Sequence, residues 1–241
     1  MKNWITFSDF TTNQKGFLIE QLDEVPMPEK KLNFIEVEGY SGYLTQDEYA
    51  YKPIDYNVTI TVKDRKNIQK IRNSFHNSGS GKLILSNDPT RFYYAKVINA
   101  IEFKRTIRDV YECVITFKLQ PYAYEVENNV RTINIVDGSP TSYTMTNATN
   151  TPCRPLIKII GSGDIILNFN SSQVKITGLE EHIILDFEFQ EAYSINSHGL
   201  KVNKNQIVRG YFPKIDVGTT KISWIGNVTQ IDITPNYRWR W

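Results

Sequence analysis

The amino-acid sequence predicts a mainly β protein of two domains with a single α-helix. Three observations predict it: apolar and polar residues alternate with a period of two along most of the chain, one short segment carries apolar residues at helical spacing, and a polar, turn-rich segment separates two halves of different pattern. A chain of 241 residues with 40% hydrophobic and 22% charged residues can bury two cores, so disorder is not expected.

The N-terminal half is typical of a sheet. In residues 57–62, valine and isoleucine occupy every second position, which places them on one face of a strand. The same alternation returns in residues 97–103 and 110–117, which are joined by the polar residues 104–109. Two alternating runs with a short polar connection predict an antiparallel hairpin.

One helix is predicted within this sheet region. It begins after Asp64, a suitable N-cap, and carries Ile68, Ile71 and Phe75 at spacings of three and four residues. The Ser-Gly-Ser-Gly segment at residues 78–81 ends it. A single amphipathic helix is therefore expected to pack against the sheet.

A turn-forming, polar composition between residues 129 and 153 indicates a domain boundary. We predict an N-terminal domain at residues 1–130, a linker at 131–152 and a C-terminal domain at 153–241. The C-terminal domain is predicted to be an antiparallel β-sandwich because short strands follow one another at close spacing without helical periodicity. These strands are predicted at residues 156–160, 164–169, 173–176, 182–189, 200–202, 221–224 and 229–233.

Composition excludes several classes of partner. The net charge is +2 with acidic and basic residues interspersed, so neither a nucleic-acid nor an anionic-membrane partner is expected. The chain has no apolar run of about 18 residues, so membrane insertion is not expected and the protein is predicted to be made in the cytoplasm in soluble form. The two cysteines, Cys113 and Cys153, are too few and too distant to form a metal site, and no cofactor is predicted.

Catalytic chemistry is not indicated. Paired carboxylates, which a glycosidase needs, occur at Glu180–Glu181 and at Asp186 with Glu188. Asp186 and Glu188 alternate with apolar residues and are expected to lie on the solvated face of a strand. The three histidines lie at no metal-binding spacing, and no Gly-x-Ser-x-Gly elbow occurs. The sequence therefore predicts a protein that is not an enzyme.

Aromatic residues make up 12% of the chain and are clustered near residues 92–94, 122–124 and 237–241. Tyrosine, tryptophan and arginine are enriched at the centres of protein interfaces, although aromatic side chains also favour strands. Some of these clusters are therefore expected at an interface and others in a core. The candidate interface residues are Tyr40, Phe92, Tyr93, Tyr94, Tyr122 and Tyr124.

Several segments, taken in order along the chain, carry a family resemblance. They are residues 83–89 (Leu-Ile-Leu-Ser-Asn-Asp-Pro), 91–96 (Arg-Phe-Tyr-Tyr-Ala-Lys), 117–124 (Phe-Lys-Leu-Gln-Pro-Tyr-Ala-Tyr), 155–165 (Pro-Leu-Ile-Lys-Ile-Ile-Gly-Ser-Gly-Asp-Ile), 210–213 (Gly-Tyr-Phe-Pro) and 222–224 (Ile-Ser-Trp). With them, the chain resembles over nearly its whole length the distal tail protein (Dit-like) family of bacteriophages with long non-contractile tails. It departs from that pattern at residues 39–42, where Gly-Tyr-Ser-Gly replaces an expected Gly-Arg-Asp-Gly-like turn.

The resemblance implies a structural baseplate-hub protein at the tail tip of a virion, assembled in the cytoplasm of the bacterial host. It implies an N-terminal β-sandwich or split-barrel-like domain with one α-helix that forms a hexameric ring, and a galectin-like C-terminal β-sandwich that faces outward. It further implies three partners besides the protein itself: the tail tube protein, the tape measure protein and a tail-associated baseplate protein.

One alternative stays open. An all-β C-terminal domain with Tyr211, Trp224 and Trp239 also suits a carbohydrate-binding module of a host-recognition apparatus, because sugar rings stack on aromatic side chains. Fold similarity alone does not decide between the two functions. The position of Trp224 in an alternating strand also agrees with a place in the core.

Overall fold

The computed structural model describes residues 2–77 and 79–240. They divide into two compact units, one made of the residues up to Val126 together with Arg240 and the other spanning Glu127–Trp239. Strands account for 60% of the residues and helix for 6%, which confirms the predicted mainly β class with one α-helix. Ser78 in the predicted helix stop and Trp241 in the terminal aromatic cluster lie outside the described residues.

The first unit contains ten strands and a helix within the described residues. They are β1 (Ile5–Phe7), β2 (Phe10–Thr11), β3 (Phe17–Leu18), β4 (Lys30–Glu36), β5 (Tyr43–Tyr51), β6 (Ile54–Lys63), α1 (Arg65–Asn77), β7 (Ser80–Leu85), β8 (Asp88–Val97), β9 (Lys104–Ile107) and β10 (Val110–Glu125). The main sheet has the strand order β2-β1-β7-β8-β10-β6-β3, and β9 pairs with β10. Strands β4 and β5 form a separate two-stranded sheet.

The predicted helix is confirmed, and its sequence explains where it begins and what it packs on. The Asp64 carboxylate caps it by accepting a hydrogen bond from the backbone N–H of Lys66 at 3.0 Å. Ile68 and Ile71 are buried against the sheet core, and the ring of Phe75 stacks on Phe7 with 5.3 Å between centroids. The helix therefore contributes one apolar stripe to the core of the first unit.

The strand predicted at residues 97–103 is wrong, and the side chain of Asn99 gives the reason. Strand β8 already ends at Val97. Beyond it, the Asn99 amide donates to the carbonyl of Val114 and accepts from the N–H of Thr116, both at 2.8 Å, so a side chain satisfies the edge of β10. The predicted polar connection instead supplies β9, which pairs with the start of β10.

The second unit contains the remaining strands. They are β11 (Arg131–Asn134), β12 (Ser142–Asn147), β13 (Leu156–Phe169), β14 (Ser172–Leu179), β15 (His182–Asp186), β16 (Glu191–Ile195), β17 (Lys201–Asn203), β18 (Val208–Gly210), β19 (Gly218–Thr234) and β20 (Arg238–Trp239), with a short 3-10 helix at Asn205–Ile207. Nine of them form one sheet network with the order β11-β19-β13-β15-β16-β17, in which β12 pairs with β19 and β14 joins β13 to β18.

Two long bent strands organise this unit. The first part of β13 pairs with β15, and after Gly161 its second part pairs with β14, while β19 follows β13 along both parts. Both parts bury apolar side chains in one core, including Ile159 and Leu167, as in a β-sandwich whose strands pass from one layer to the other. The strands predicted separately at 156–160 and 164–169 are thus one strand, as are those at 221–224 and 229–233.

The bend requires glycine on both strands. A Cβ atom on Gly161 would lie 2.3 Å from the carbonyl oxygen of Asn227, and one on Gly226 would lie 2.3 Å from the carbonyl oxygen of Asp164. Gly226 also has a φ of +120°, a conformation that side chains of L-residues rarely adopt. The backbones therefore approach each other at the corner as closely as only glycine allows.

The linker predicted at residues 131–152 is wrong, because strands of this segment belong to the sheet of the second unit. Strand β11 pairs with β19 between Arg131 and Ile233, and β12 pairs with β19 along its whole length. The polar residues that suggested a linker include a buried network in which the Asn147 amide donates to the carbonyls of Thr151 and Ile215. These polar groups satisfy each other inside the unit rather than facing solvent.

Candidate interaction surface

The most exposed apolar surface of the first unit is the β4–β5 hairpin, here called the hairpin surface. On one face, Phe34 and Tyr43 pack edge to face with 4.7 Å between ring centroids, yet each remains 58% exposed. On the other face, the directly paired Ile35 and Leu44 are also about half exposed. Apolar side chains on both faces of a lone two-stranded sheet indicate a surface that a partner covers.

The end of this hairpin carries an aromatic residue and acidic residues. Tyr40 lies in the connection between β4 and β5 and is 59% exposed, and Gly39 and Gly42 flank it with positive φ. Glu36 and Glu38 are exposed, and neither forms an ion pair with a described residue. The departure at residues 39–42 therefore gives this chain a tyrosine at the end of the hairpin, where the resemblance implied an arginine and an aspartate.

Among the other candidate interface aromatics, Phe92, Tyr94 and Tyr124 form one cluster, whereas Tyr93 lies in the core. Phe92 stacks on Tyr124 at 5.6 Å and contacts Tyr94 edge to face at 5.1 Å, and the Lys82 ammonium lies 4.4 Å from the centre of the Phe92 ring. Tyr94 is the exposed member of this cluster. Tyr93 points to the opposite face of β8 and packs in the core, so it is not part of the proposed interface.

Tyr122, the remaining candidate, is half-buried on β10 and lies one residue before the fully buried Ala123. The structure thus brings together Phe92, Tyr94 and Tyr124, and places Tyr40 on a different element.

Sequence reasoning did not identify the central residues of the hairpin surface. The signal was present: Phe34–Ile35 and Tyr43–Leu44 are adjacent apolar pairs on either side of a Gly-containing connection. Because neighbouring strand residues point to opposite faces, such pairs place apolar side chains on both sides of a hairpin.

The carboxylate pair considered for glycoside hydrolysis has structural contacts. Asp186 ends β15, and its carboxylate accepts hydrogen bonds from the N–H groups of Glu188 and Phe189 at 3.0 and 3.1 Å. Glu188 lies in the following turn and pairs with Arg154 at 3.5 Å and with Arg238 at 3.3 Å. The two carboxylates therefore fix a turn and the segments beside it.

The described residues offer neither a metal site nor a membrane-spanning helix. No group of three or more His, Cys, Asp or Glu side chains there is arranged to hold a metal ion. The helix of that same part of the chain is too short and too polar to cross a membrane. Among the candidate sugar-stacking residues, Trp224 is 5% exposed in the core, Trp239 is half-buried and Tyr211 is 61% exposed.

Both cysteines are buried, and burial controls their chemistry. Burial raises the pKa of the Cys113 thiol from 9.0 to about 12, with the charge of Glu112 adding to the rise. Burial also raises the pKa of Cys153 to about 12, against an opposing effect of Arg238. Since the thiolate is the reactive form, both side chains are expected to be inert at neutral pH.

We expect a thiol reagent to label neither cysteine of the folded protein at pH 8 and to label both after unfolding in urea. Three pKa units lower the thiolate fraction roughly a thousandfold, and burial adds a steric barrier. Each thiol has a pKa near 9 in the unfolded chain and about 12 in the folded protein. Its protonated form therefore contributes to stability at pH values below 9, and this contribution is lost as the pH rises towards about 12. An Ile225→Cys variant is the exposed control, because Ile225 is 64% exposed, and rapid labelling of the folded wild type would contradict the prediction.

The fold of this chain is similar to that of a solved phage protein. That protein is SPP1 Dit (gp 19.1), described as a paradigm of the hub adsorption apparatus in phages that infect Gram-positive bacteria. The match has a TM-score of 0.72 and covers 99% of each chain, at 12% sequence identity. No protein-family model and no curated protein sequence matches the chain. The chain therefore has the fold of SPP1 Dit, which confirms the resemblance drawn from its sequence.

Proposed function

We propose that this protein is a structural subunit of a phage tail tip, a distal tail hub that forms a ring between the tail tube and the tip proteins. The observation that carries the proposal is the match to SPP1 Dit, which extends over both units and leaves almost no residue of either chain unmatched. A match that long includes residues of both units and not a common sheet motif alone. The structural contacts of Asp186 and Glu188 agree with a structural role.

The first unit is the proposed ring-forming domain, and the second is the proposed outward-facing, galectin-like domain. Ring formation is supported by the hairpin surface, where four large apolar side chains are about half exposed in a single chain. Covering such a surface with another copy would remove apolar area from water at roughly 25 cal/mol per Å². A hexamer is proposed from the family resemblance, with closure by repetition of one head-to-tail contact.

Native mass spectrometry tests the ring. We expect a sixfold mass for the wild type and a folded monomer for Phe34→Asp and Ile35→Asp, because a buried unpaired charge in an apolar contact costs several kcal/mol. Ile225→Asp is the matched control: Ile225 is an equally apolar, exposed residue of the second unit, and its replacement should leave the ring intact. A wild type that stays monomeric at all concentrations and does not join tails would contradict the proposal.

The proposed partners are the tail tube protein, the tape measure protein and a tail-associated baseplate protein, in a virion assembled in the host cytoplasm. Co-purification of the ring with each recombinant partner tests them one at a time. Binding to the tail tube protein is the contact required of a hub. Its absence, with the ring present, would remove the joining role.

A carbohydrate-binding module is the second candidate, and one observation favours it. Tyr211 is 61% exposed on the second unit, and Phe189 is 73% exposed on a neighbouring turn that Gln190 links to the carbonyl of Phe212. Two exposed aromatic rings are a platform on which sugar rings stack. Calorimetric titration of the full chain with host wall polysaccharide separates the two functions, because a hub that binds no sugar gives no heat of binding. The Tyr211→Ala variant is the control.

A further inference from the structure

We infer that the end of the β4–β5 hairpin of one copy docks into a groove beside helix α1 of the next copy. This inference rests on the proposed function, because it specifies the contact that links neighbouring subunits. The two surfaces are different parts of the first unit, so the contact is head to tail. Repetition of a head-to-tail contact closes a ring when its rotation allows, whereas a two-fold contact stops at a dimer.

The groove has the size and the lining of a docking site. Its cavity has a volume of about 730 Å³, between the exposed stripe of α1 and the segment that follows β8. Phe75, Val97 and Ile101 supply apolar lining, and Gln69 and Asn73, hydrogen-bonded to each other at 2.8 Å, supply amide groups on the helix side. An apolar floor with amide walls suits the end of a hairpin, which presents an aromatic side chain and backbone polar groups together.

The groove has one arginine in its lining. Arg72 lines it, and its guanidinium lies over the ring of Phe103 at 5.5 Å, which holds the side chain at the wall. No carboxylate of the described residues pairs with Arg72, and none lines the groove. The groove therefore presents an arginine that is oriented by stacking and available to an acidic group.

The hairpin end has the opposite charge. Glu36 and Glu38 lie there, and no lysine or arginine occurs between Asn33 and Gln46. Neither glutamate pairs with a described residue, although the base of the same hairpin has its own ion pair between Lys30 and Asp47. Charge complementarity thus favours a second copy of this chain as the occupant of the groove, with Tyr40 entering over the apolar floor.

Charge reversal tests the contact. We expect Arg72→Glu and Glu38→Arg each to weaken self-association at least about tenfold, since each places like charges in contact, and the double variant to recover most of the loss. Lys66→Glu makes the same charge change on the exposed N-terminal turn of α1, outside the groove, and should associate as the wild type does. Normal association of both single variants would overturn the docking while leaving the hub proposal intact.

Cross-linking tests the pairing of the two surfaces directly. Two single variants, Tyr40→Cys and Asn73→Cys, are mixed and oxidised, so a mixed product can arise only between copies. The buried native thiols are expected not to compete. We expect the mixed 40–73 product to exceed both self-linked products, whereas a dominant 40–40 product would indicate a two-fold contact and overturn the inference.

The two proposals fail in different ways. A ring without the 40–73 product overturns the docking and keeps the hub. If the wild type is monomeric and gives no 40–73 product, the docking is also overturned, and joining of tails by the wild-type protein then decides the hub separately.

Discussion

Replacing Gly226 by alanine is expected to destabilise the second unit by at least about 3 kcal/mol. A non-glycine residue in such a backbone conformation costs about 1–3 kcal/mol. In addition, the new Cβ would lie 2.3 Å from the carbonyl oxygen of Asp164, so β13 and β19 must separate at the corner where both bend. Urea unfolding followed by hydrogen exchange in β19 measures the loss.

Gly163→Ala is the matched control for this prediction. Gly163 also has a positive φ, +77°, but a Cβ there would meet no heavy atom within 4 Å. Its replacement should therefore cost only the backbone strain, about 1–2 kcal/mol. Equal losses for the two variants would show that the close approach at Gly226 contributes nothing and that backbone conformation alone explains the glycine.

Asn147→Ala is the second substitution with a large expected effect, a loss of about 2–4 kcal/mol from the second unit. The Asn147 amide donates to the carbonyls of Thr151 and Ile215, and its oxygen accepts from both the N–H and the hydroxyl of Thr149. Truncation removes the acceptor of the buried Thr149 N–H, at the desolvation cost of that group, and takes one donor each from the Thr151 and Ile215 carbonyls, which keep the Thr149 hydroxyl and the Cys153 N–H.

The same substitution at an exposed asparagine separates burial from residue type. Asn134 lies exposed on β11, and Asn134→Ala is expected to change the free energy of unfolding by less than about 0.5 kcal/mol. Stability is measured by urea unfolding of each variant. An Asn147 variant as stable as the Asn134 variant would mean that water enters and satisfies the network.

The sequence predicted the fold class because alternation and helical spacing report directly which side chains face a core. Val58, Ile60 and Val62 alternate in the sequence and are buried together in the structure, and Ile68 and Ile71 lie on the predicted face of α1. Such local patterns need no knowledge of distant partners. They are the part of the fold that the order of residues alone determines.

The strand boundaries were harder to predict because glycine has two uses in a sheet. The Gly-Ser-Gly at residues 161–163 and the Gly-Asn at residues 226–227 are typical of turns, and the prediction ended strands there. In the structure both segments are bends inside continuous strands, made necessary by the approach of one backbone to the other. That approach joins residues some 60 positions apart, which a local pattern does not contain.

The false linker has a similar cause. Asn147, Thr149 and Thr151 are polar and therefore predict exposure, but they are buried because they satisfy one another's hydrogen bonds. Composition reports polarity and not the presence of a partner. A buried polar turn and a solvated linker have the same composition.

The candidate interface was predicted in part. The clustering of aromatics identified Tyr94 and Tyr124 as candidates, and strand periodicity alone places Tyr93 on the face opposite Phe92 and Tyr94. Periodicity does not say which of the two faces is the core. The hairpin surface was missed because its apolar residues lie on both faces, so it lacks the alternation that a half-buried strand shows.

The place of β19 in the second sheet also has a consequence for synthesis on the ribosome. Strands β1–β3 and β6–β10 have all been made once the chain reaches Val126, so the first unit can begin to fold while translation continues. In the second unit, β11, β12 and β13 all pair with β19, which is complete only at Thr234. Three strands must therefore wait, with unpaired edges, for their last-made neighbour, and the nascent second unit is the stage at which this protein is most exposed to aggregation.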